Sequence, residues 1–146
     1  MNTDVRIEHG LSVDDFIALR STTGWGVPDR AVSQAALDAS LVCLTARLDG
    51  GAVGMIRAVG DGYLNAYLQD LVVHPSLRRH GVGRALIDRV CRALACTAPP
   101  YLTVGLMAAR DMDPFYVDCG FRARPNADQG AGFQAALQNI VRRSVT

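Results

Sequence analysis

The sequence contains no lysine, and its opposite charges nearly cancel. All 15 basic residues are arginine, and 14 acidic residues leave a formal charge of +1 at neutral pH. No strong overall field therefore favours DNA, RNA or an anionic membrane as a partner. The planar guanidinium of arginine suits phosphate better than an ammonium does, although biased codon usage produces the same composition. Any function that uses positive charge must be local.

The sequence also lacks long apolar runs and paired cysteines. No stretch of about 18 apolar residues occurs, and the start, MNTDVRIEHG, lacks the charged region and apolar run of a signal peptide. The cysteines follow no CxxC spacing and stand in apolar stretches, which indicates reduced core residues. They are Cys43, Cys91, Cys96 and Cys119. These absences predict a cytoplasmic protein with no membrane segment, disulfide framework or metal site.

Length and composition predict one globular domain. A chain of 146 residues has the usual size of a single domain, and 49% hydrophobic residues are enough to bury a core. No internal repeat or low-complexity linker divides the sequence. We therefore expect residues 1–146 to form a single domain.

The first forty residues predict a strand and two helices. Residues 5–8 alternate apolar and polar side chains, as a half-buried strand does. Ser12 stands where a helix N-cap is expected, with Asp15 three residues later, and this helix should end at about Thr22. A second helix is expected over residues 29–39.

Three strands follow and predict an antiparallel meander. Residues 41–48 and 52–59 form a hairpin in this prediction, around the tight-turn sequence Asp49 to Gly51. A third strand is expected over residues 65–73. Its run LQDLVV is almost continuously apolar, which is typical of a central strand covered on both faces.

A helix and a parallel strand are expected next. From Gly81 onward the apolar residues recur at helical spacing, with charged residues on the opposite face. Residues 101–107 predict a strand parallel to residues 65–73, because the helix crosses over between them. The chain is therefore expected to have an α/β fold with a mixed sheet, in which an antiparallel meander is followed by a βαβ unit.

The end of the chain predicts a short helix and two more strands. Asp113 and Pro114 suit the N-cap and first residue of a helix, and Gly120 suits the position just past its end. Phe121 to Arg124 is expected to return as a strand. The last fifteen residues fit a strand or a helix, and a strand starting near Phe133 is preferred.

A buried strand, a loop of arginines and glycines and a helix follow one another in LQDLVVHPSLRRHGVGRALIDRV. A helix start offers free backbone amides and the positive end of its dipole to an anion. Gly81 and Gly83 lack a Cβ, so the main chain there can approach phosphate oxygens closely and adopt positive φ. The segment therefore predicts a phosphate site.

Two common phosphate motifs do not fit this loop, and a third does. Leu86 replaces the third glycine of a dinucleotide fingerprint, and Gly83 is followed by arginine and alanine where a P-loop has lysine and serine or threonine. The letters from Arg78 to Gly83 resemble the [RQ]xxGx[GA] acetyl-CoA signature of the GNAT superfamily of N-acetyltransferases. The order of predicted elements over residues 41–121 is also similar to that family.

This resemblance implies acetyl-CoA as the acyl donor. The main chain of Leu71, Val72 and Val73 would hold pantetheine in a gap between two splayed parallel strands. Pyrophosphate contacts would come from the loop, through Arg78, Arg79, His80, Gly81, Val82, Gly83 and Arg84. The implied reaction transfers the acetyl group directly from the thioester to an amine held nearby.

The resemblance also implies a catalytic tyrosine. The segment FYVDCGF is similar to a family segment whose tyrosine commonly donates a proton to the leaving thiolate, and this maps onto Tyr116. The alternative is a half-buried core tyrosine whose hydroxyl bonds to the main chain.

The general base has no obvious residue. Gln69 stands where some family members carry a glutamate, and an amide cannot take a proton at neutral pH. Asp70 is adjacent, but the period of two in a strand predicts that it lies on the opposite face. A bound water, His74 or Glu8 would then accept the proton. Ala109 is a second departure, because the family often has asparagine seven residues before the tyrosine.

The acceptor side is expected from the first two helices and the final strands. Trp25 lies between two glycines and would form an aromatic wall for an organic amine, or else a hydrophobic plug. Gln69 is also placed in the substrate site. The expected partners are a small-molecule amine or a protein amine, with no nucleic acid and no membrane, and two copies pairing as a homodimer. The alternative function is a GNAT-like domain that binds acyl-CoA as a sensor.

Overall fold

The computed structural model describes residues 4–144, which divide into two compact units. The first unit extends to Leu106 and the second begins at Met107. The expectation that residues 1–146 form one domain stays a prediction.

The first unit is a five-stranded sheet with helices on its faces. Its elements are β1 (Arg6–His9), α1 (Val13–Arg20), α2 (Arg30–Asp38), β2 (Val42–Leu48), β3 (Gly51–Gly60), β4 (Asn65–Val73), α3 (Val82–Ala95) and β5 (Thr103–Leu106). The strands lie side by side in chain order. All neighbouring pairs are antiparallel except β4 and β5, which are parallel. The predicted α/β class, meander and βαβ unit are therefore confirmed.

Side-chain caps set the start of the first two helices. The Ser12 hydroxyl accepts a hydrogen bond from the Asp15 amide at 3.1 Å. The Asp29 carboxylate accepts one from the Val32 amide at 2.8 Å. Each cap satisfies an amide that has no partner within its helix. The predicted cap at Ser12 is confirmed, and α1 ends two residues before the predicted Thr22.

Apolar layers cover the sheet. One cluster joins α1 and α2 to β3 and β4, and it contains Val13, Phe16, Leu19, Leu37, Met55 and Val72. The apolar stripe of α3 is also buried, and it contains Val82, Leu86, Ile87, Val90 and Leu94. Gly54 of β3 permits close approach of α3, since a Cβ there would lie 3.2 Å from Leu86 Cδ1. Strand β4 is thus packed against helices that precede it in the sequence, α1 and α2, and against the helix that follows it, α3.

A β-bulge interrupts β4. Arg57 pairs with Gln69 and Met55 pairs with Val72, so β4 has one residue more than β3 between these pairs. Asp70 lies in the bulge with φ of +55°, a left-handed conformation that is uncommon outside glycine. The bulge breaks the alternation of faces on which the sequence prediction for Asp70 rested.

The second unit contains two short helices, α4 (Asp113–Asp118) and α5 (Leu137–Ser144). Gly120 follows α4 with φ of +100°, and the Phe121 amide donates to the Tyr116 carbonyl at 3.0 Å. This is the expected glycine termination of a helix. Asp113 is the first helical residue and Met112 the cap, one position earlier than predicted.

The strands predicted near the end of the chain were wrong. Residues 121–136 form neither strand nor helix. The Asn126 side chain accepts hydrogen bonds from the amides of Asp128 and Gln129, which folds the main chain into a turn in place of a strand. The segment expected to start a strand near Phe133 leads into α5, and residues 145 and 146 lie outside the described residues.

We expect Leu86→Ala to destabilise the first unit strongly. Leu86 is fully buried between α3 and the sheet, so its removal leaves a cavity and should lower the free energy of unfolding by about 2 to 5 kcal/mol. Urea unfolding would measure this. The matched control is Val32→Ala, because Val32 is 56% exposed on α2 and should change the free energy by about 0.5 kcal/mol or less. Equal effects of the two substitutions would contradict the packing described.

Candidate active site

Strand β4 continues past the end of its pairing with β5. The parallel pairs run from Asn65 opposite Thr103 to Leu68 opposite Leu106, where β5 ends. β4 extends to Val73, where it is still paired with β3. The edge that carries Leu71, Val72 and Val73 therefore has no β5 partner within the first unit. A strand edge of this kind can accept an extended ligand through main-chain hydrogen bonds.

A tight loop leads from this edge to α3. The residues Pro75–Leu77 form one 3₁₀ turn, and the buried Leu77 anchors it. Arg79 and Gly81 adopt left-handed conformations, with φ of +65° and +79°. The side chains of Arg78, Arg79 and His80 are exposed. Turn conformations of this type can direct backbone amides toward a concavity that suits an anion.

The first turn of α3 completes the loop. Gly81 precedes the helix and has no side chain to cap its amides. Val82 is buried, Gly83 adds no side chain to the first turn, and Arg84 is exposed. A 14-residue helix directs the positive end of its dipole to this point. The predicted loop residues are therefore brought together beside the open end of β4, and their chemistry fits a pyrophosphate.

Gln69 and Trp25 both belong to the first unit. Gln69 is half-buried in β4 opposite Arg57. Trp25 lies between α1 and α2, and its amide donates to the Thr23 hydroxyl at 3.1 Å. Its side chain is 49% exposed, so Trp25 does not act as a buried plug.

Two arginines that the sequence interpretation missed bind Asp70. Its carboxylate is only 5% exposed, accepts a hydrogen bond from Arg20, and accepts a second from Arg57 Nε at 2.6 Å. Because Arg57 lies opposite Gln69, Asp70 lies on the face that Gln69 shares with Arg57. The expected placement of Asp70 on the other face was therefore wrong. A charged Arg57 inside the apolar run MIRAVG was the signal that a buried partner existed.

The other base candidates are also engaged. Glu8 accepts a hydrogen bond from Arg47 Nε at 2.8 Å, and Arg47 also binds Asp15 on α1. His74 uses Nδ1 to accept a hydrogen bond from the Ser76 amide at 3.2 Å. The carboxylate of Glu8 is thus held in an ion pair, and one nitrogen of His74 is used to shape the loop.

Tyr116 lies on α4 in the second unit. It is half-buried, with its ring centre 5.0 Å from that of Phe115 and 6.2 Å from that of Phe121, both in edge-on contact. Burial, with a smaller effect of the nearby Cys119 thiol, raises the pKa of the Tyr116 hydroxyl above its ordinary value of 10.0. The hydroxyl therefore stays protonated near neutral pH and is chemically able to donate a proton.

Two surface clefts lie apart from the loop. One of about 420 Å³ is lined by charged residues of the β1–β2 end, including Arg6 and Arg47. The other, of about 300 Å³, is apolar and lies between the end of α3 and β5. Glu8, a candidate base, lines the first cleft, and neither cleft is lined by the predicted cofactor or acceptor residues. The strand edge and the loop are open surfaces, and their main-chain chemistry is a better guide to function than cleft size.

Comparison with known proteins identifies the family. A family model for the acetyltransferase (GNAT) domain matches residues 39–123, more than half of the 146-residue chain. A GNAT family acetyltransferase from Streptococcus pneumoniae has a solved structure with a TM-score of 0.76 and 28% identity, covering 91% of this chain and 98% of that one. This chain belongs to the GNAT acetyltransferase family.

Curated plant relatives agree with this family. Serotonin N-acetyltransferase 2 of Oryza sativa subsp. japonica is 35% identical over 62% of this chain and 44% of its own length. Histone acetyltransferase TAP1 of Glycine max is 32% identical over 82% of this chain and 56% of its own. The chain thus spans about half the length of these relatives.

The predicted cytoplasmic location is contradicted by the comparison. Four of the plant relatives are named as chloroplastic proteins. The prediction rested on the absence of long apolar runs, a signal-peptide pattern and paired cysteines, and a reducing compartment other than the cytoplasm also permits reduced cysteines. Within residues 4–144, no helix combines the length and apolar character that crossing a membrane requires.

We expect the Tyr116 hydroxyl to ionise above pH 10.0. The pKa of this hydroxyl is higher in the folded state than in the unfolded state. The stabilisation that results is therefore complete at pH values below the unfolded-state pKa and is lost as pH rises through the folded-state pKa. The difference in phenolate absorbance between the parent and Tyr116→Phe would give the pKa. Above pH 10.0 the free energy of unfolding should fall more steeply with pH for the parent than for Tyr116→Phe. A difference titration centred at or below the ordinary value would contradict the burial of this ring.

Proposed function

We propose that this protein is an N-acetyltransferase that transfers an acetyl group from acetyl-CoA to the primary amine of a small molecule or a protein. The observation that carries this proposal is the open edge of β4 next to the uncapped start of α3. It offers, in one continuous stretch, strand-like hydrogen bonding for pantetheine and backbone amides for a pyrophosphate.

The cofactor side relies on the main chain. The amides and carbonyls of Leu71 to Val73 would bind pantetheine as an added strand, because β5 ends before this stretch. The amides from Arg79 through Arg84 would bind the pyrophosphate, and the exposed guanidinium of Arg78 would add positive charge beside it. Val82 is buried and fixes this turn to the core.

Acetyl-CoA would supply an acetyl group activated as a thioester. In the proposed transfer, a bond forms between the amine nitrogen and the acetyl carbon while the carbon–sulfur bond breaks. A neutral amine must attack, so an ammonium first loses one proton; the nitrogen loses a second proton as the amide forms, and the thiolate gains one. Tyr116 is proposed as the donor of the proton that the thiolate gains, because its raised pKa keeps the hydroxyl protonated at neutral pH.

The first proton is assigned to no side chain. Gln69 cannot accept it, Asp70 and Glu8 are held by arginines, and Nδ1 of His74 is occupied. We propose instead that an ammonium loses this proton to water before attack and that water also takes the second proton as the amide forms. The enzyme should therefore work best on amines that are partly deprotonated, with rates that rise with pH up to the amine's own pKa.

The acceptor side is proposed to include Trp25 and Gln69. The exposed indole of Trp25 can contact an aromatic ring or an organic ammonium, and the Gln69 amide can donate or accept a hydrogen bond. The rice relative is named for serotonin and the soybean relative for histone, so both a small amine and a lysine side chain belong in the acceptor panel. Pairing of two copies as a homodimer is also proposed.

Gly83→Val should weaken CoA binding by at least about tenfold, or about 1.4 kcal/mol, because the added methyl groups occupy the first turn where the phosphate oxygens would lie. Calorimetric titration with CoA, and the rise in Tm that CoA produces, would measure the loss. Gly83 is preferred to Gly81 for this test, because the positive φ of Gly81 would strain any replacement.

Gly51→Val is the matched control for this substitution. Gly51 is exposed at the start of β3, where a Cβ would meet only the Leu48 carbonyl at an ordinary 3.6 Å. It should bind CoA as the parent does. If CoA raised the Tm of Gly83→Val as much as that of the parent, the pyrophosphate would have to bind elsewhere.

Tyr116→Phe should lower kcat by about 100-fold and change the Kd for CoA by less than about twofold, because only the proton donor is removed. Thiol release from acetyl-CoA with serotonin, a polyamine and a histone peptide as acceptors would measure it. Tyr101→Phe, at a tyrosine that is 73% exposed, is the control and should retain full kcat.

The same assay tests the second candidate function, an acyl-CoA-binding sensor domain without turnover. Gln69 and Ala109 favour it, because each replaces a functional residue type found in related enzymes. Tight CoA binding together with no thiol release on any amine would establish the sensor and reject the acetyltransferase. A kcat for Tyr116→Phe equal to that of the parent would reject only the role of Tyr116.

A further inference from the structure

The buried carboxylate of Asp70 joins the elements of the first unit that surround the proposed acceptor side. One oxygen accepts a hydrogen bond from Arg20 of α1, and the other accepts one from Arg57 of β3. All three side chains are largely buried, with exposures of 5% for Asp70, 21% for Arg20 and 16% for Arg57. We call these three residues the Asp70 clamp.

Each arginine of the Asp70 clamp also binds a second partner. Arg20 Nε donates to the Gly26 carbonyl at 2.7 Å. Arg57 Nη1 donates to the Ser40 hydroxyl at 3.2 Å, just after α2. The bulge of β4 is thereby tied to the loop that precedes α2 and to Ser40, two residues past the end of α2.

Arg20 occupies the decisive position in this network. Its planar guanidinium binds the bulge residue with one nitrogen and the loop carbonyl with another, so the two distances cannot change independently. The guanidinium carbon also lies 5.9 Å from the ring centre of Phe16, a core residue, which fixes the plane further. Gly26 directly follows the exposed Trp25.

Stability alone gives little reason for this arrangement. Burying three charged groups is costly, and apolar side chains of similar volume usually stabilise a protein as well or better. The Asp70 clamp instead fixes the relative positions of the elements that it joins, because charged hydrogen bonds set direction as well as distance. These elements are the bulge, where β4 loses its β5 partner, and the loop that carries Trp25.

We propose that Arg20 is a positioning residue for the acceptor amine: through Asp70 and Gly26 it holds the Trp25 loop, residues 22–28, at a fixed place relative to β4. This inference rests on the proposed function for the role of β4 in holding the acyl donor. The amine must then meet the thioester in a geometry that the Asp70 clamp sets, and loosening the clamp should weaken acceptor binding specifically.

Fluorescence of Trp25 tests the structural half of this proposal without any substrate. Trp25 is the only tryptophan in the chain, so its signal reports the loop alone. Arg20→Lys keeps the positive charge beside Asp70 but cannot hold both partners, and acrylamide quenching of Trp25 should rise about 1.5-fold with a fall in anisotropy. Unchanged quenching and anisotropy would overturn the proposal.

Steady-state kinetics test the functional half. Arg20→Lys should raise the acceptor KM about tenfold and leave the Kd for CoA within about twofold of the parent, because only the acceptor side is displaced. A purely structural role would instead lower the Tm and weaken both substrates together, which would overturn the assignment. Arg30→Lys is the matched control, since Arg30 pairs with Asp14 on the surface and contacts no part of the Asp70 clamp. It should change neither quenching nor KM.

Different experimental results would reject this inference and the proposed function. If the parent protein released no thiol with any amine, the acetyltransferase proposal and the kinetic role of Arg20 would both be rejected. Raised quenching in Arg20→Lys would still support Arg20 as the residue that holds the Trp25 loop. Turnover in the parent, with the same acceptor KM in Arg20→Lys, would reject the positioning role and leave the acetyltransferase intact.

Discussion

Strand β4 extends beyond the last pair that it shares with β5, and the proposed cofactor site depends on this difference in length. Main-chain amides and carbonyls require partners, and in a sheet the neighbouring strand provides them. The first half of β4 has partners on both edges, whereas the second half has β3 alone within the first unit. The open edge is therefore a product of strand length and requires no special side chain.

An open edge would fray unless packing held the strand in place. Val72 belongs to the apolar cluster with α1 and α2, and the Val73 end is fixed through Gly54, against which Leu86 of α3 packs closely. Burial from the helices thus supplies the order that hydrogen bonding on one edge cannot. The loop that follows inherits this order, since Leu77 and Val82 are both buried at its two ends.

Local signals explain which parts of this fold could be predicted. β4 begins and ends at the predicted residues, and the cap at Ser12 lies where the sequence placed it, because turns and caps are decided within a few residues. The C-terminal prediction failed for a related reason. Leu137, Ile140 and Val141 repeat at helical spacing, and this spacing favours α5, the helix that the sequence allowed as the alternative to the preferred strand.

The site residues likewise divide into those set by local sequence and those set by contacts between distant segments. Glycines at the start of α3 can be read from the sequence because their proposed role is to leave the main chain uncovered. The Asp70 clamp was missed because Arg20 and Asp70 are 50 positions apart, and because the bulge that directs Asp70 arises only when β3 and β4 pair. Strict alternation along a single strand cannot reveal an extra residue in its pairing.

The two sides of the proposed enzyme differ in the chemistry that holds them. The proposed cofactor side would use main-chain groups, which tolerate many side-chain changes, whereas the proposed acceptor side would depend on side chains from α1, β3 and β4. Asp70 belongs to both, because it is the bulge residue of β4 and the partner of Arg20 and Arg57. A left-handed conformation at a residue with a Cβ costs energy, and the two ion pairs offset that cost. A change at Asp70 would free both the acceptor loop and the bulge, whereas a change at Arg20 would free the loop and leave Arg57 paired with Asp70 at the bulge.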